Sequence, residues 1–187
     1  MKEKDPIVQA GAPVLTQKAK PISKKDFGSP ALAKLLQKMS KVLAQEEFGV
    51  ALAAPQVGEP LRLFIIAGKA FTPTPKGRGP DQSVGEEVLP DKVFINPELV
   101  KLSKTKREMS EGCLSVRGKY GTVMRHEKAS LRAWSQDGKP FTYNATGLVA
   151  HIFQHEMDHL DGILYTDKAV KLEDESEREA LREKHPA

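Results

Sequence analysis

In Gln154-His155-Glu156-Met157-Asp158-His159-Leu160-Asp161-Gly162, two histidines stand four residues apart with a glutamate directly after the first. On a helix, positions i and i+4 share a face. Both imidazoles can therefore reach one metal ion, and the glutamate can hold a water on that ion. The flanking residues predict such a helix over about 145–160, capped by Asn144 or Thr146. Leu148, Ile152, His155 and His159 stack on one face, while Val149, Phe153 and Leu160 keep other faces apolar, the mark of a buried helix. Gly162 ends it. Read as plain core, the stretch would bury two imidazoles and a carboxylate without a partner, at a heavy desolvation cost. It predicts a divalent metal site on a central helix.

A catalytic site needs a third protein ligand. A metalloprotease would place a histidine three residues beyond Gly162, but position 165 is Tyr, and no methionine follows Met157. The class that draws a glutamate from a later helix usually has an asparagine four residues before it, and none follows Asn144. Cys113 is the better candidate. It is the single cysteine, it follows Gly112 where backbone can approach a ligand closely, and its thiolate suits Zn²⁺ or Fe²⁺. Alone, such a cysteine would read as a small buried hydrophobe; beside a two-histidine helix lacking a ligand, the reading reverses.

Toward the N-terminus, residues 1–28 read as an irregular lead-in punctuated by Pro13 and Pro21. Ser29 caps a helix with Pro30 in its first turn and apolar residues from Leu32 to Leu43 at helical spacing, stopped by Gly49. Val50–Gly58 is a small-residue loop or strand and Arg62–Ala67 a short strand. Residues 69–91, rich in proline and glycine, read as an exposed insertion. Further strands are predicted at Val93–Asn96, Val100–Met109, Gly121–Arg125, Ala129–Trp134 and Pro140–Tyr143, with Asp137-Gly138 turning between the last two. Two segments follow from this pass: a catalytic domain over 1–170, and a charged helical tail over 171–187.

Composition narrows the class. Charged residues make up 29% and hydrophobic residues 39%, ordinary for a globular chain, and no apolar run approaches the ~18 residues of a membrane span. The opening residues lack the apolar core of a signal peptide, and the lone cysteine excludes an internal disulfide; both predict a cytoplasmic protein. The net charge of +4 is uneven: residues 171–187 carry four basic against six acidic groups, leaving +6 on the body. Without a dense basic stripe or interleaved aromatics, nucleic-acid binding is a weak reading.

Three motifs in order, Gly49-Val50-Ala51-Leu52-Ala53-Ala54-Pro55-Gln56-Val57-Gly58, Glu111-Gly112-Cys113-Leu114-Ser115 and Gln154–Gly162, resemble those of the peptide deformylases, and Ile7–Leu15 resembles that family's N-terminal strand. The similarity spans about residues 7–170. It implies an α+β fold with antiparallel sheets around the metal-binding helix. The activity it implies is removal of the formyl group from N-formylmethionine on new proteins of a bacterium or an organelle. It also implies one divalent metal, usually Fe²⁺, replaceable by Zn²⁺, Ni²⁺ or Co²⁺, on Cys113, His155 and His159. Glu156 would act as general acid–base, with the Gln56 side chain and the Leu114 N–H donating to the oxyanion. Val50, Leu148 and Ile152 match methionine-pocket positions, though each also suits plain core; the peptide backbone would pair with Val50, Ala51 and Gly112.

There are departures. Ala51 stands where the family generally has glycine, which requires a negative φ there. His151 occupies a pocket-edge position commonly apolar or Arg, and either contacts substrate or turns away to solvent or a backbone carbonyl. Arg125 reads as half of an ion pair with an unnamed partner. In some relatives a C-terminal helix docks on the ribosome; here the net acidic tail would leave that attraction to the basic body or to a local face. Two rival readings are an endopeptidase built on the same helix motif, which would cut unblocked peptides, and a catalytically silent metal-binding or ribosome-associated homologue.

Overall fold

A computed structural model of the protein describes residues 5–71 and 89–176. Among them, β1 (Ala51–Ala53), β2 (Leu63–Ile66), β3 (Lys92–Leu102), β6 (Lys128–Trp134) and β7 (Pro140–Thr146) form one antiparallel sheet in the order β1-β2-β3-β6-β7. A second sheet holds β4 (Lys106–Cys113), β5 (Val116–His126) and β8 (Lys171–Asp174) in the order β4-β5-β8. The helices are α1 (Pro30–Ala44) and α2 (Gly147–Leu160). The expected α+β class, with antiparallel sheets around the helix of the two histidines, is what the chain adopts.

Strand alternation sorts the larger sheet into two cores. Leu52, Leu63, Ile65 and Ile95 face α1, joining Leu32, Leu36, Met39 and Leu43. Ala51, Ala53, Phe64, Ile66 and Phe94 face the other way, against Ala150, Ile152, Phe153 and Met157 of α2. The side toward α2 is lined by small residues (Ala51, Ala53, Ala129, Ala133 and Ala145), which lets the helix lie close. Phe94 fills the remaining space edge-on to Phe153, ring centroids 5.3 Å apart.

Several boundaries differ from the sequence reading. The Ser29 hydroxyl caps α1 by accepting from the Leu32 N–H at 3.2 Å, but the helix ends at Ala44 rather than running to Gly49. The predicted strand Val100–Met109 is the end of β3 and the start of β4, split at Ser103–Thr105, where Ser103 Oγ donates to the Thr105 carbonyl and accepts from the Lys128 N–H. Lys171–Asp174, the first residues of the segment read as a charged helical tail, form β8 because β5 has an open edge that satisfies their backbone groups. Residues 177–187, the rest of that tail, and 72–88, most of the 69–91 insertion, lie outside the described residues. No described helix is long and apolar enough to cross a membrane.

Candidate metal centre

β1 and β4 are each the edge strand of their sheet, and both border a cleft of ≈ 790 Å³. Val50, Ala51 and Gln56 line it from one side, Gly112, Cys113 and Leu114 from the other, and Leu148, His151, Ile152, His155 and Glu156 of α2 form its floor. Two edge strands on either side of a groove make a place for an extended peptide. Ala51 fits this strand with ordinary backbone: the sole non-glycine positive φ among the described residues belongs to Asn96. A Cβ on Gly112 would lie 2.9 Å from the Tyr120 ring, so a side chain there would require that ring to shift.

At the floor, one ligand atom each from Cys113, His155 and His159 lies within 4.8 Å of the other two. Cys113 Sγ is 3.2 Å from His159 Nε2. Two metal–ligand bonds of about 2.0–2.3 Å at a tetrahedral angle put their donors roughly 3.3–3.8 Å apart, close to the Cys113–His159 separation. Tyr165, at the position of a protease's third histidine, is no ligand: its hydroxyl donates to the Lys119 carbonyl at 2.9 Å, and its ring lies along His155. Burial pushes the Cys113 thiol up, but His159 and His155 outweigh it and bring its pKa down to about 5. Burial likewise pushes His155 down, and hydrogen bonds with Cys113 and Glu111 carry it well above the usual range. Without an ion, the thiolate and imidazolium charges must balance one another; a divalent cation replaces the protons.

Glu156 is buried, and its Oε2 finds no hydrogen-bond partner among the described residues. Burial, partly offset by His155 and His159, pushes its carboxyl up to about 7. A cation bound beside it pulls that value down again. A buried oxygen left unsatisfied at a cluster of metal-type ligands fits a site completed by an ion and its water. Gln56 is held in one orientation: its Oε1 accepts from the Ala53 N–H at 2.8 Å, so its Nε2 faces inward, 3.2 Å from Ser115 Oγ and 3.5 Å from Cys113 Sγ.

The sequence reading passed over the residue that ties these parts together. Glu111, fully buried, stands two residues before Cys113 on β4, the spacing that puts two side chains on the same strand face. Its carboxylate accepts from Arg125 Nε (2.6 Å) and Nη2 (3.0 Å), from His155 Nδ1 (2.7 Å) and from His151 Nε2 (2.7 Å). Burial raises its pKa, but the hydrogen bonds from His151, His155 and Arg125 hold it well below the usual carboxylate range. With Nδ1 of His155 committed to Glu111, Nε2 is the nitrogen left for a metal. Arg125 also donates to Asp158 of α2 at 2.6 Å, which names its missing partners. His151 turns neither to solvent nor to a backbone carbonyl, correcting that alternative, because the buried carboxylate of Glu111 competes better for its ring.

Two further supports were legible only as motif letters. Gln154 accepts from the His126 N–H and donates to the His126 carbonyl, both at 2.9 Å, pinning α2 to β5. The lead-in segment bridges the two inward-facing turns: the Val8 N–H donates to the Gln56 carbonyl, Gln9 Nε2 to the Leu114 carbonyl and the Ala10 N–H to the Ser115 carbonyl. Of the pocket positions, Ile152 is buried and Val50 half-buried, while Leu148 is 51% exposed at the cleft mouth.

Comparison with known proteins agrees with this geometry. The family model for polypeptide deformylase matches residues 4–175. A peptide deformylase of Symbiobacterium thermophilum is 40% identical over 171 residues, 91% of this chain and 69% of that protein. A chloroplastic/mitochondrial peptide deformylase of Arabidopsis thaliana is 38% identical over 173 residues, 88% of this chain and 61% of its own length. In three dimensions, a Met-Ala-Ser-bound class I type b peptide deformylase from Acinetobacter baumannii superposes with a TM-score of 0.74 at 31% identity, covering 87% of this chain and 96% of that one.

Proposed function

The chain belongs to the polypeptide deformylase family, metal-dependent hydrolases that remove the N-formyl group from nascent peptides, and we propose how its own residues divide that work. Cys113, His155 and His159 hold one divalent ion. We assign Fe²⁺, with Zn²⁺, Ni²⁺ or Co²⁺ able to take the same ligands, since a thiolate with two imidazoles suits borderline-soft cations. When bound, the ion acidifies a water and polarises the formyl carbonyl.

Glu156 takes the proton of the attacking water and delivers it to the leaving amine. The observation that carries this assignment is its buried Oε2, without a partner among the described residues, in the cleft that Cys113 and His155 also line. Gln56 Nε2 and the Leu114 N–H donate to the formyl oxygen as negative charge grows there; losing one such donor typically costs ~3–4 kcal/mol of transition-state stabilisation. The peptide backbone enters as an added strand between Val50–Ala51 and Gly112, and the methionine side chain lies against Val50, Leu148 and Ile152 with His151 at the edge.

The substrate is an N-formylmethionyl nascent peptide, and the compartment we assign is the bacterial cytoplasm. Any docking on the ribosome falls to the basic body, not to the net acidic segment 171–187. The test is formate release from formyl-Met-Ala-Ser by protein metallated without oxygen. Turnover that stops with a chelator and returns with Fe²⁺ is expected. Cleavage of unblocked peptides without formate release would overturn the reading in favour of an endopeptidase.

A further inference from the structure

An ionised carboxylate offers about four acceptor positions, and Glu111 has all four filled. Oε1 takes Arg125 Nε and His151 Nε2; Oε2 takes Arg125 Nη2 and His155 Nδ1. Since a carboxylate only accepts, both ring nitrogens facing it must be N–H donors. His151 and His155 lie one turn apart on α2, so the same carboxylate grips the helix at two levels. His151 is also 9% exposed and borders the cleft, placing one ring between the cleft and Glu111. The Arg125 fork holds both oxygens from one side, and on the α2 side each oxygen is met by one imidazole, His151 on Oε1 and His155 on Oε2.

We propose that His151 is a positioning residue: by donating to Glu111 Oε1 it keeps Oε2 on His155 Nδ1–H, and so aims His155 Nε2 at the Cys113–His159 pair. It acts through Glu111 and touches no reacting atom. This rests on the ligand assignment made above, and it concerns how firmly those ligands are held rather than which bond they help to break.

The test uses Co²⁺-loaded full-length protein, comparing wild type with His151→Leu and His151→Gln. Leucine keeps bulk and removes the donor; glutamine restores an N–H at the reach of Nε2. Three readouts are taken: the visible absorption bands of the bound Co²⁺, the rate of Co²⁺ release to a chelator, and kcat and KM for formyl-Met-Ala-Ser. Loss of an outer partner of a metal-binding histidine typically weakens metal affinity 10–100-fold. His151→Leu should therefore release Co²⁺ at least about tenfold faster with shifted bands. Its kcat should fall, whatever His151 contributes to KM at the pocket edge, and His151→Gln should recover most of the loss.

Unchanged bands and release in His151→Leu with a raised KM would overturn the proposal and leave His151 as cleft wall. Equal loss in both variants would overturn it too, marking a purely structural side chain. Release and spectra are read without turnover. Wild-type protein that binds Co²⁺ but frees no formate would thus count against the proposed function and not against this inference.

Discussion

Glu111 shows most clearly what one residue decides. Its carboxylate sits on the same strand face as Cys113, and through His155 it joins that strand to α2, so ligands distant in sequence share one rigid bracket. A substitution to glutamine leaves the Arg125 guanidinium and two imidazoles facing an amide in a buried site. Breaking a buried ion pair from one side costs about 3–5 kcal/mol. Glu111→Gln is accordingly expected to unfold at markedly lower denaturant and to lose metal affinity 10–100-fold, read by urea titration and chelator competition. Cys113 gives a second expectation. Burial would raise its pKa, yet His159 and His155 hold it at about 5, so in metal-free protein it is thiolate throughout neutral pH. Alkylation by iodoacetamide should then be nearly flat between about pH 7 and about pH 9, where an ordinary thiol near 8.5 accelerates roughly 25-fold; bound Zn²⁺ should block it. The cluster of Cys113, His155 and His159 was legible in the sequence because helical spacing and a lone cysteine mark those residues. Glu111 was not, since an acid in a short motif looks the same whether it is solvated or buried under a guanidinium and two imidazoles.

Among the elements, both long helices could be read from apolar period, and α1 also from its Ser29 cap; Thr146 stands at the start of α2 but its side chain makes no capping hydrogen bond, and strand limits depended on partners. Nothing local in Val100–Met109 marks the break at Ser103–Thr105; the turn there is fixed by hydrogen bonds to Lys128 and within the loop. β8 was missed for a related reason: Lys-Leu-Glu-Asp has little strand propensity, and the open edge of β5 supplies what propensity does not. The end of α2 is set more firmly. Gly162 has φ +74°, and a Cβ on it would meet the Thr16 backbone at 2.7 Å, so the chain must turn there with no side chain. Gly162→Ala should destabilise by about 2 kcal/mol or more, from a strained φ plus a clash that neither backbone can relieve cheaply. Thermal unfolding measures it; a change below about 0.5 kcal/mol would show that the turn is not held as described.

Over the whole molecule, the cleft exists because two sheets each present an edge strand there and α2 closes the space below them. The motifs announced the residues on the three walls but not that the walls are separate sheets, since pairing order is set by long-range contacts. Residues 171–174 belong to one of those sheets, so a chain stopped after Val170 loses an edge strand. Its Tm should drop by roughly 3–8 °C, as a loss of about 1–2 kcal/mol would produce at this size, while kcat/KM for a short formylated peptide at 25 °C stays within about threefold. A loss beyond tenfold would mean that β8 shapes the site itself. The claim on which everything else turns is that Glu156 moves the proton at the metal held by Cys113, His155 and His159. It is tested most directly by formate release from formyl-Met-Ala-Ser by Fe²⁺-loaded wild type and Glu156→Ala at equal metal content. A fall of about 10²–10⁴-fold in kcat with metal retained is predicted; turnover within a few-fold of wild type would contradict the account.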